Sequence, residues 1–324
     1  MTNRYDPKSR AGEPVVAGPP PLAGRVSGYT SRPLNVDDTA AVYDLETAGE
    51  AFDDGVVEVD LSDLEADWRR PSFDPATMSI GVSHGDQLVA YATVFKGRAE
   101  ALVRPDYRGQ GIGTALVRWT RRVARADGRD SVGQTISKNE RSAEALFRAS
   151  DYEYGHTSWI LEAGLSDQAV PSHSALPGGY RFHPYRQGED EREIFALIDT
   201  AFDEWRGSTS ESMGFDNWAA STLYRLEPEL VILITHAECI AGTAIGHDYG
   251  PHGGGWIQEV AVAREHRRQG LGRALLEEGF RRFRDLGRRQ CGASTDSRTG
   301  ALGLYERSGM SVRRSCVRWM KRGL

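Results

Sequence analysis

The sequence uses one device twice. Residues 256–286 read WIQEVAVAREHRRQGLGRALLEEGFRRFRDL: a strand, a tight basic-glycine loop, then an amphipathic helix. Trp256, Ile257, Val260 and Val262 are the bulky and β-branched residues of a largely buried strand. Arg267-Arg268-Gln269-Gly270-Leu271-Gly272 is the loop, and Leu271, Ala274 and Leu275 begin the apolar face of the helix. Residues 99–128, AEALVRPDYRGQGIGTALVRWTRRVARADG, repeat that order around Arg108-Gly109-Gln110-Gly111-Ile112-Gly113. A shift of 159 residues pairs Arg108 with Arg267, Val103 with Val262, Gly111 with Gly270, Gly113 with Gly272 and Glu100 with Glu259. A chain with such a repeat is constrained to build one supersecondary unit twice.

The loop has its own chemistry. A helix that starts there points unpaired backbone N–H groups, and the positive end of its dipole, at whatever sits beside it. Glycines remove the side chains that would hold a bulky anion away from the backbone. The physical reading is a diphosphate cradle. A dinucleotide fingerprint fits worse, because its third glycine would fall on Thr114 and, in the second copy, its first on Arg268. No Walker lysine follows either loop.

Val, a short spacer, then Arg-x-x-Gly-x-Gly opening a helix resembles the acyl-CoA-binding motif of the GNAT N-acetyltransferases, and both copies match it at every motif position. The tandem arrangement, the mid-chain linker and the stretch Ala201 to Trp205 look like the mycothiol synthase group of double-domain GNATs. The resemblance implies acetyl-CoA, or another short acyl-CoA, as co-substrate, and no metal. It makes Val262 with Arg267, Arg268, Gln269, Gly270, Leu271 and Gly272 the cofactor-binding residues of the second copy. Val103, Arg108, Gly109, Gln110, Gly111, Ile112 and Gly113 take that part in the first.

The order of elements supports a mixed α/β architecture: two tandem units, each a mostly antiparallel mixed sheet with helices on both faces. Residues 1–27, rich in proline and glycine, are expected to be a disordered tail. A first domain then spans residues 28–163, a small-residue linker 164–178, and a second domain 179–324. Gly179-Tyr180 and Pro184 match Gly28-Tyr29 and Pro33 at a shift of 151 residues. The growth of the shift to 159 predicts an eight-residue expansion, which residues 248–255 fit.

Composition narrows the function. Lys+Arg 40 against Asp+Glu 46, a net charge of −6, argues against nucleic acid as partner. Three cysteines without CxxC spacing support neither a disulfide framework nor a zinc site. No eighteen-residue apolar run and no signal sequence are present, so the expectation is a cytoplasmic protein without a membrane partner. His247 and His252, among glycines, read as solvent-facing. The acidic residues between Asp37 and Asp60 read as a solvated face or, alternatively, as an attractor for a cationic substrate. The arginines from Arg281 to Arg289 read as a solvated helix face or as a phosphate contact. The sequence does not fix an oligomeric state, although a tandem chain can supply its own pseudo-dimer.

Direct acyl transfer from a thioester to an amine needs a base for the ammonium and an acid for the departing thiolate. Glu259, three residues before Val262 and flanked by Trp256, Ile257 and Val260, is the candidate base; apolar company raises a carboxylate pKa. Its alternative is a solvent-facing or Arg-paired carboxylate. The segment Ala301 to Met310 resembles the family helix that ends in Tyr, a short spacer and Gly, which makes Tyr305 the candidate acid; core packing is its alternative. The first copy has Phe147 at that position, with no proton to give. The expectation is an acyl-CoA-dependent N-acyltransferase acting on a small-molecule primary amine. Its chemistry lies in the second half and the first half is catalytically degenerate; the alternative is a non-catalytic acyl-CoA-binding module.

Overall fold

The computed structural model describes residues 28–165, 175–206 and 212–324. The expected tail, the middle of the linker, the Ser208–Ser210 loop and the side chain of Trp205 lie outside the described residues. The first half runs β1 (Tyr29–Arg32), α1 (Thr39–Asp53), α2 (Leu61–Trp68), α3 (Pro75–Met78), β2 (Ser79–His84), β3 (Gln87–Phe95) and β4 (Arg98–Val103). It continues with α4 (Ile112–Ala126), β5 (Ser131–Ser137), α5 (Arg141–Ala149) and β6 (Glu153–Gly164). The second half runs β7 (Tyr180–His183), α6 (Glu191–Arg206), α7 (Phe215–Thr222), β8 (Val231–His236), β9 (Cys239–Asp248), α8 (Gly250–Gly253) and β10 (Gly255–Val262). It closes with α9 (Leu271–Asp285), β11 (Gln290–Asp296), α10 (Leu302–Arg307) and β12 (Ser311–Arg322).

Local chemistry accounts for these boundaries. The Asp60 carboxylate accepts from the backbone N–H groups of Ser62 and Asp63 and so starts α2. Gly111 and Gly270 sit at the N-caps of α4 and α9 with φ of 86° in both, a left-handed conformation that costs a residue with a Cβ about 1–2 kcal/mol. The expansion at residues 248–255 holds the short turn α8.

Among the described residues, twelve strands form one sheet, in the order β1-β2-β3-β4-β5-β12-β6-β11-β10-β9-β8-β7. The two repeats thus do not each complete their own sheet, as the repeat alone would suggest. They exchange last strands. β12 pairs with β5 of the first half, β6 pairs with β11 of the second, and the two exchanged strands pair with each other. Their register matches Ser311 with Glu162 and Met320 with Glu153, which places a pseudo-twofold axis between them. The exchange reaches the cores. Trp319 of β12 packs among Trp119, Val132 and Phe147 of the first half, and Leu161 and Ala163 of β6 pack among Phe280, Cys291 and Tyr305 of the second. Burial of those side chains from the opposite half, on the order of 1.5–3 kcal/mol for each large apolar one, couples the two repeats.

The helices on one face of the sheet also meet across the halves. Asn217 of α7 accepts from the Ser72 backbone N–H at 3.0 Å. The Lys96 ammonium donates to the Ser212 carbonyl at 2.8 Å. Arg225 reaches Asp60 at the start of α2 at 3.2 Å. These contacts press α2 of the first half against α7 of the second.

Candidate active site

The site begins where two parallel strands part. β10 and β11 pair only from Gly255–Ile257 to Cys291–Ala293, and β4 and β5 only at Arg98–Ala99 to Gly133–Gln134. Beyond those pairs each cradle strand has backbone groups facing a cleft instead of a neighbour, and an extended ligand arm can take their hydrogen bonds. The glycine loop lies past the end of each cleft. A Cβ added at Gly111 or Gly270 would meet nothing within 4 Å, so the space beside these bare amides is open.

The other motif residues divide by role. Arg267 donates from Nε to the Val262 carbonyl at 3.0 Å and pairs with Glu204 at 2.8 Å. Arg108 does the same with the Val103 carbonyl at 3.0 Å and with both Asp53 oxygens, at 2.6 and 2.7 Å. These two arginines tie the loop to its strand. Leu271 and Ile112 are buried in the cores. Gly272 and Gly113 allow close helix packing, since a Cβ at either would stand 3.1 Å from Leu304 or Leu146. Gly109, Gln110, Arg268 and Gln269 are exposed on the loops, and Arg268 holds a φ of 63° where the first copy has glycine. Gln110 accepts from the Tyr29 hydroxyl at 2.8 Å.

Glu259 is neither solvent-facing nor paired with an arginine. A register shift between Ile257 and Glu259 marks a bulge at Gln258 and turns Glu259 toward α7. The Trp218 indole N–H donates to its carboxylate at 3.0 and 3.3 Å. Burial raises the carboxyl pKa to about 7, and the indole bond opposes that rise. Tyr305, 8% exposed, lies on α10 in the cluster that holds Ile257 and borders Val260, and burial raises its phenol to about 12.

Glu259 lines a cavity of about 200 Å³. Trp218, Ser221 and Thr222 of α7, Gln258 beside Glu259, and Tyr249 form one side. The first half supplies the other through Asp63 and Asp67 of α2 and Arg70. Asp63 accepts from the hydroxyls of Tyr249 and Tyr224. Asp67 pairs with Arg70, yet burial still lifts its carboxyl to about 6. A carboxylate-rich cavity in which Glu259 and Asp67 both titrate close to neutrality can receive an ammonium and take a proton from it.

Three sequence readings change here. His247 is not solvent-facing: it sits on β9, 2% exposed, lines the cavity, and burial lowers its pKa. Its flanking glycines suggested a loop, whereas Gly246 is a close-packing position whose Cβ would stand 2.7 Å from Phe283. The acidic opening of the first half is not one solvated face. Glu46 is half-buried, accepts from the Tyr91 hydroxyl and is raised to about 7 by desolvation, while Asp60 bridges to Arg225. Helix α2, which the sequence reading did not assign, buries Leu64, Ala66 and Trp68; that apolar spacing behind an Asp cap was the available signal. Of the basic tract, Arg281 and Arg282 pair with Glu278, and Arg288 with Asp248. Among the described residues no helix is long and apolar enough to cross a membrane.

The first half has the same frame with different contents. β4 pairs with β3 over Arg98–Val103 without a register shift, and Glu100 is exposed. Phe147 is buried, with its ring 4.9 Å from that of Tyr152 and 6.3 Å from that of Trp319.

Comparison with known proteins agrees with this frame. The model of the Acetyltransferase (GNAT) family matches residues 40–152 and 192–310. A mycothiol acetyltransferase of Pseudarthrobacter chlorophenolicus is 28% identical over 254 residues, 74% of this chain and 73% of that protein. The same-named protein of Catenulispora acidiphila is 28% identical over 249 residues, 72% of this chain and 77% of its own. Among solved structures, a GCN5-related N-acetyltransferase from Sphaerobacter thermophilus superposes with a TM-score of 0.74 at 27% identity, covering 92% of this chain and 97% of that one. A tandem GNAT protein from the clavulanic acid biosynthesis pathway shares the fold, with a TM-score of 0.68 at 18% identity and coverage of 91% and 99%.

Proposed function

Since the chain belongs to the GNAT acetyltransferase family, with two copies of its domain, we propose that it moves an acetyl group from acetyl-CoA to the primary amine of a small polar molecule, with the chemistry in the second half. The observation that carries this reading is Glu259: half-buried on a bulged strand, held by Trp218, titrating near neutrality and open to a cavity beside the thioester cleft.

The cleft along Gln258–Val262 and the loop amides around Gly270 fit a pantetheine arm and a diphosphate. The acceptor enters as an ammonium, drawn by the carboxylates of Asp63, Asp67 and Glu259. Glu259 takes its proton. The free amine attacks the thioester carbonyl, an N–C bond forms and the C–S bond breaks. Tyr305 gives its phenolic proton to the departing thiolate, and its own proton returns from the excess left by the amine. The products are an amide, the free thiol and one proton released to solvent. No covalent bond to the enzyme is needed, and Cys291, buried and with its thiol pKa pushed up, is unsuited to form one.

The relatives named mycothiol acetyltransferases make amine precursors of mycothiol the first acceptors to try. The test is thiol release from acetyl-CoA across a panel of such amines. Turnover that Glu259→Gln removes supports the reading, and turnover indifferent to that change refutes it. Coenzyme A binding with no thiol release for any amine favours a purely binding module instead.

A further inference from the structure

The two cradles are alike in their loops and unlike in their clefts. In the first half, the Gly133 N–H donates to the Gly97 carbonyl, which shows that odd-numbered residues of β4 turn their backbone groups toward β5. Beyond Ala99 the strands part, and Ala101 is the next residue whose carbonyl faces the cleft. That carbonyl is taken. The Gln134 side-chain amide donates to it at 2.8 Å, and Gln134 is itself 8% exposed. At the matching place in the second half β11 has Ala293, paired with Ile257 as Gln134 is with Ala99. Alanine has no side chain that could cross the opening. The bulge that turns Glu259 is also missing from β4.

We propose that Gln134 latches the first cleft shut, so that the chain carries one open acyl-CoA site and one closed one. The first glycine loop keeps its geometry, with φ of 77° and 86° at Gly109 and Gly111, and can still meet a diphosphate. The pantetheine arm cannot run along β4 while Gln134 spans the gap. The residues of the first cleft therefore do not fit the co-substrate that those of the second cleft fit, and no catalytic step passes through the first half. Its contribution to the reaction is structural: α2 walls the acceptor cavity and β6 pairs with β11 of the second half. This inference rests on the reading of the second half as an acyl-CoA site.

Calorimetric titration with coenzyme A tests it through stoichiometry. The wild-type chain should bind one equivalent, and Gln134→Ala, which gives the first cleft the residue of the second, should bind two. The converse Ala293→Gln should lose the wild-type equivalent. The double variant Gln134→Ala/Ala293→Gln should bind one equivalent and release no thiol, because Phe147 stands at the acid position. The single variant Gln134→Ala places no larger group in a core, so its result stands if the Ala293 variants fail to fold. Two equivalents on the wild type, or one on Gln134→Ala, would overturn the latch and leave the second-half site intact. No binding by the wild type and none by Gln134→Ala would overturn both the latch and the reading beneath it.

Discussion

The two halves of this chain share a sheet, a loop geometry and a pseudo-twofold axis, and differ in a few residues that decide what each can do. Glu259 is half-buried beneath the Trp218 indole while Glu100 is exposed. Tyr305 matches Phe147, Ala293 matches Gln134, and a bulged strand matches a regular one. The parts that bind phosphate are backbone and glycine, and both copies have them. Those proposed to move protons and admit the ligand arm are side chains, and only the second copy has them. The strand exchange explains why the first copy is kept even on the reading that the chemistry lies in the second: without β6, β11 loses a neighbour in the shared sheet, and without α2 the cavity loses a wall.

The contrast can be broken by moving residues across the axis. Tyr305→Phe removes the candidate acid and should lower kcat by roughly 10²–10⁴ with the affinity for coenzyme A nearly unchanged. The reciprocal Phe147→Tyr should leave kcat as it was; a gain would mean that the first half is closer to competence than its closed cleft allows.

Stability should respond to Glu259 in the opposite sense from activity. Its folded pKa, about 7, lies above the ordinary glutamate value of 4.5. Below pH 4.5 the carboxyl is neutral in both states; between there and about 7 the unfolded chain has released a proton that the folded one still holds, so stability falls as pH rises, and it levels off above 7. Glu259→Gln lacks that penalty. Denaturant unfolding should show the variant more stable than wild type by on the order of 3 kcal/mol at pH 8, with no gain near pH 4.

Gly270→Val places a branched side chain at the cradle amides, at a φ of 86°, and should weaken coenzyme A binding about tenfold or more. Gly111→Val bears the same backbone strain in the closed half, at the same φ, and should lower Tm to a similar extent without changing that affinity. The smallest effect belongs to Trp218→Phe. Loss of the indole donor should raise the Glu259 pKa further and move the acidic limb of kcat/KM to higher pH by about one unit.

Much of this was legible in the residues. The repeat, the glycine loops, the Glu259 candidate and the Tyr305–Phe147 asymmetry follow from local pattern, because strand, turn and helix start are set by neighbouring residues. The strand exchange was not. β6 and β12 are similar amphipathic strands, and nothing local tells one β5-like edge from the other. The bulge at Gln258 shows only as a one-residue change of spacing, since Ala99 corresponds to Ile257 while Glu100 corresponds to Glu259. Asp67, His247 and Gln134 were missed because each matters through a partner distant in sequence. Gln134 reads as an ordinary strand residue until the Ala101 carbonyl is seen beside it.

The division of labour between the halves is tested most directly by kcat/KM against pH for the wild type, Glu259→Gln and Glu100→Gln, measured as thiol release with one accepted amine. The wild type and Glu100→Gln should share an acidic limb with an inflection near the Glu259 pKa of about 7. Glu259→Gln should lose that limb and fall by roughly 10² or more at its plateau. A profile in which Glu100→Gln loses activity while Glu259→Gln keeps both its limb and its rate would contradict the assignment.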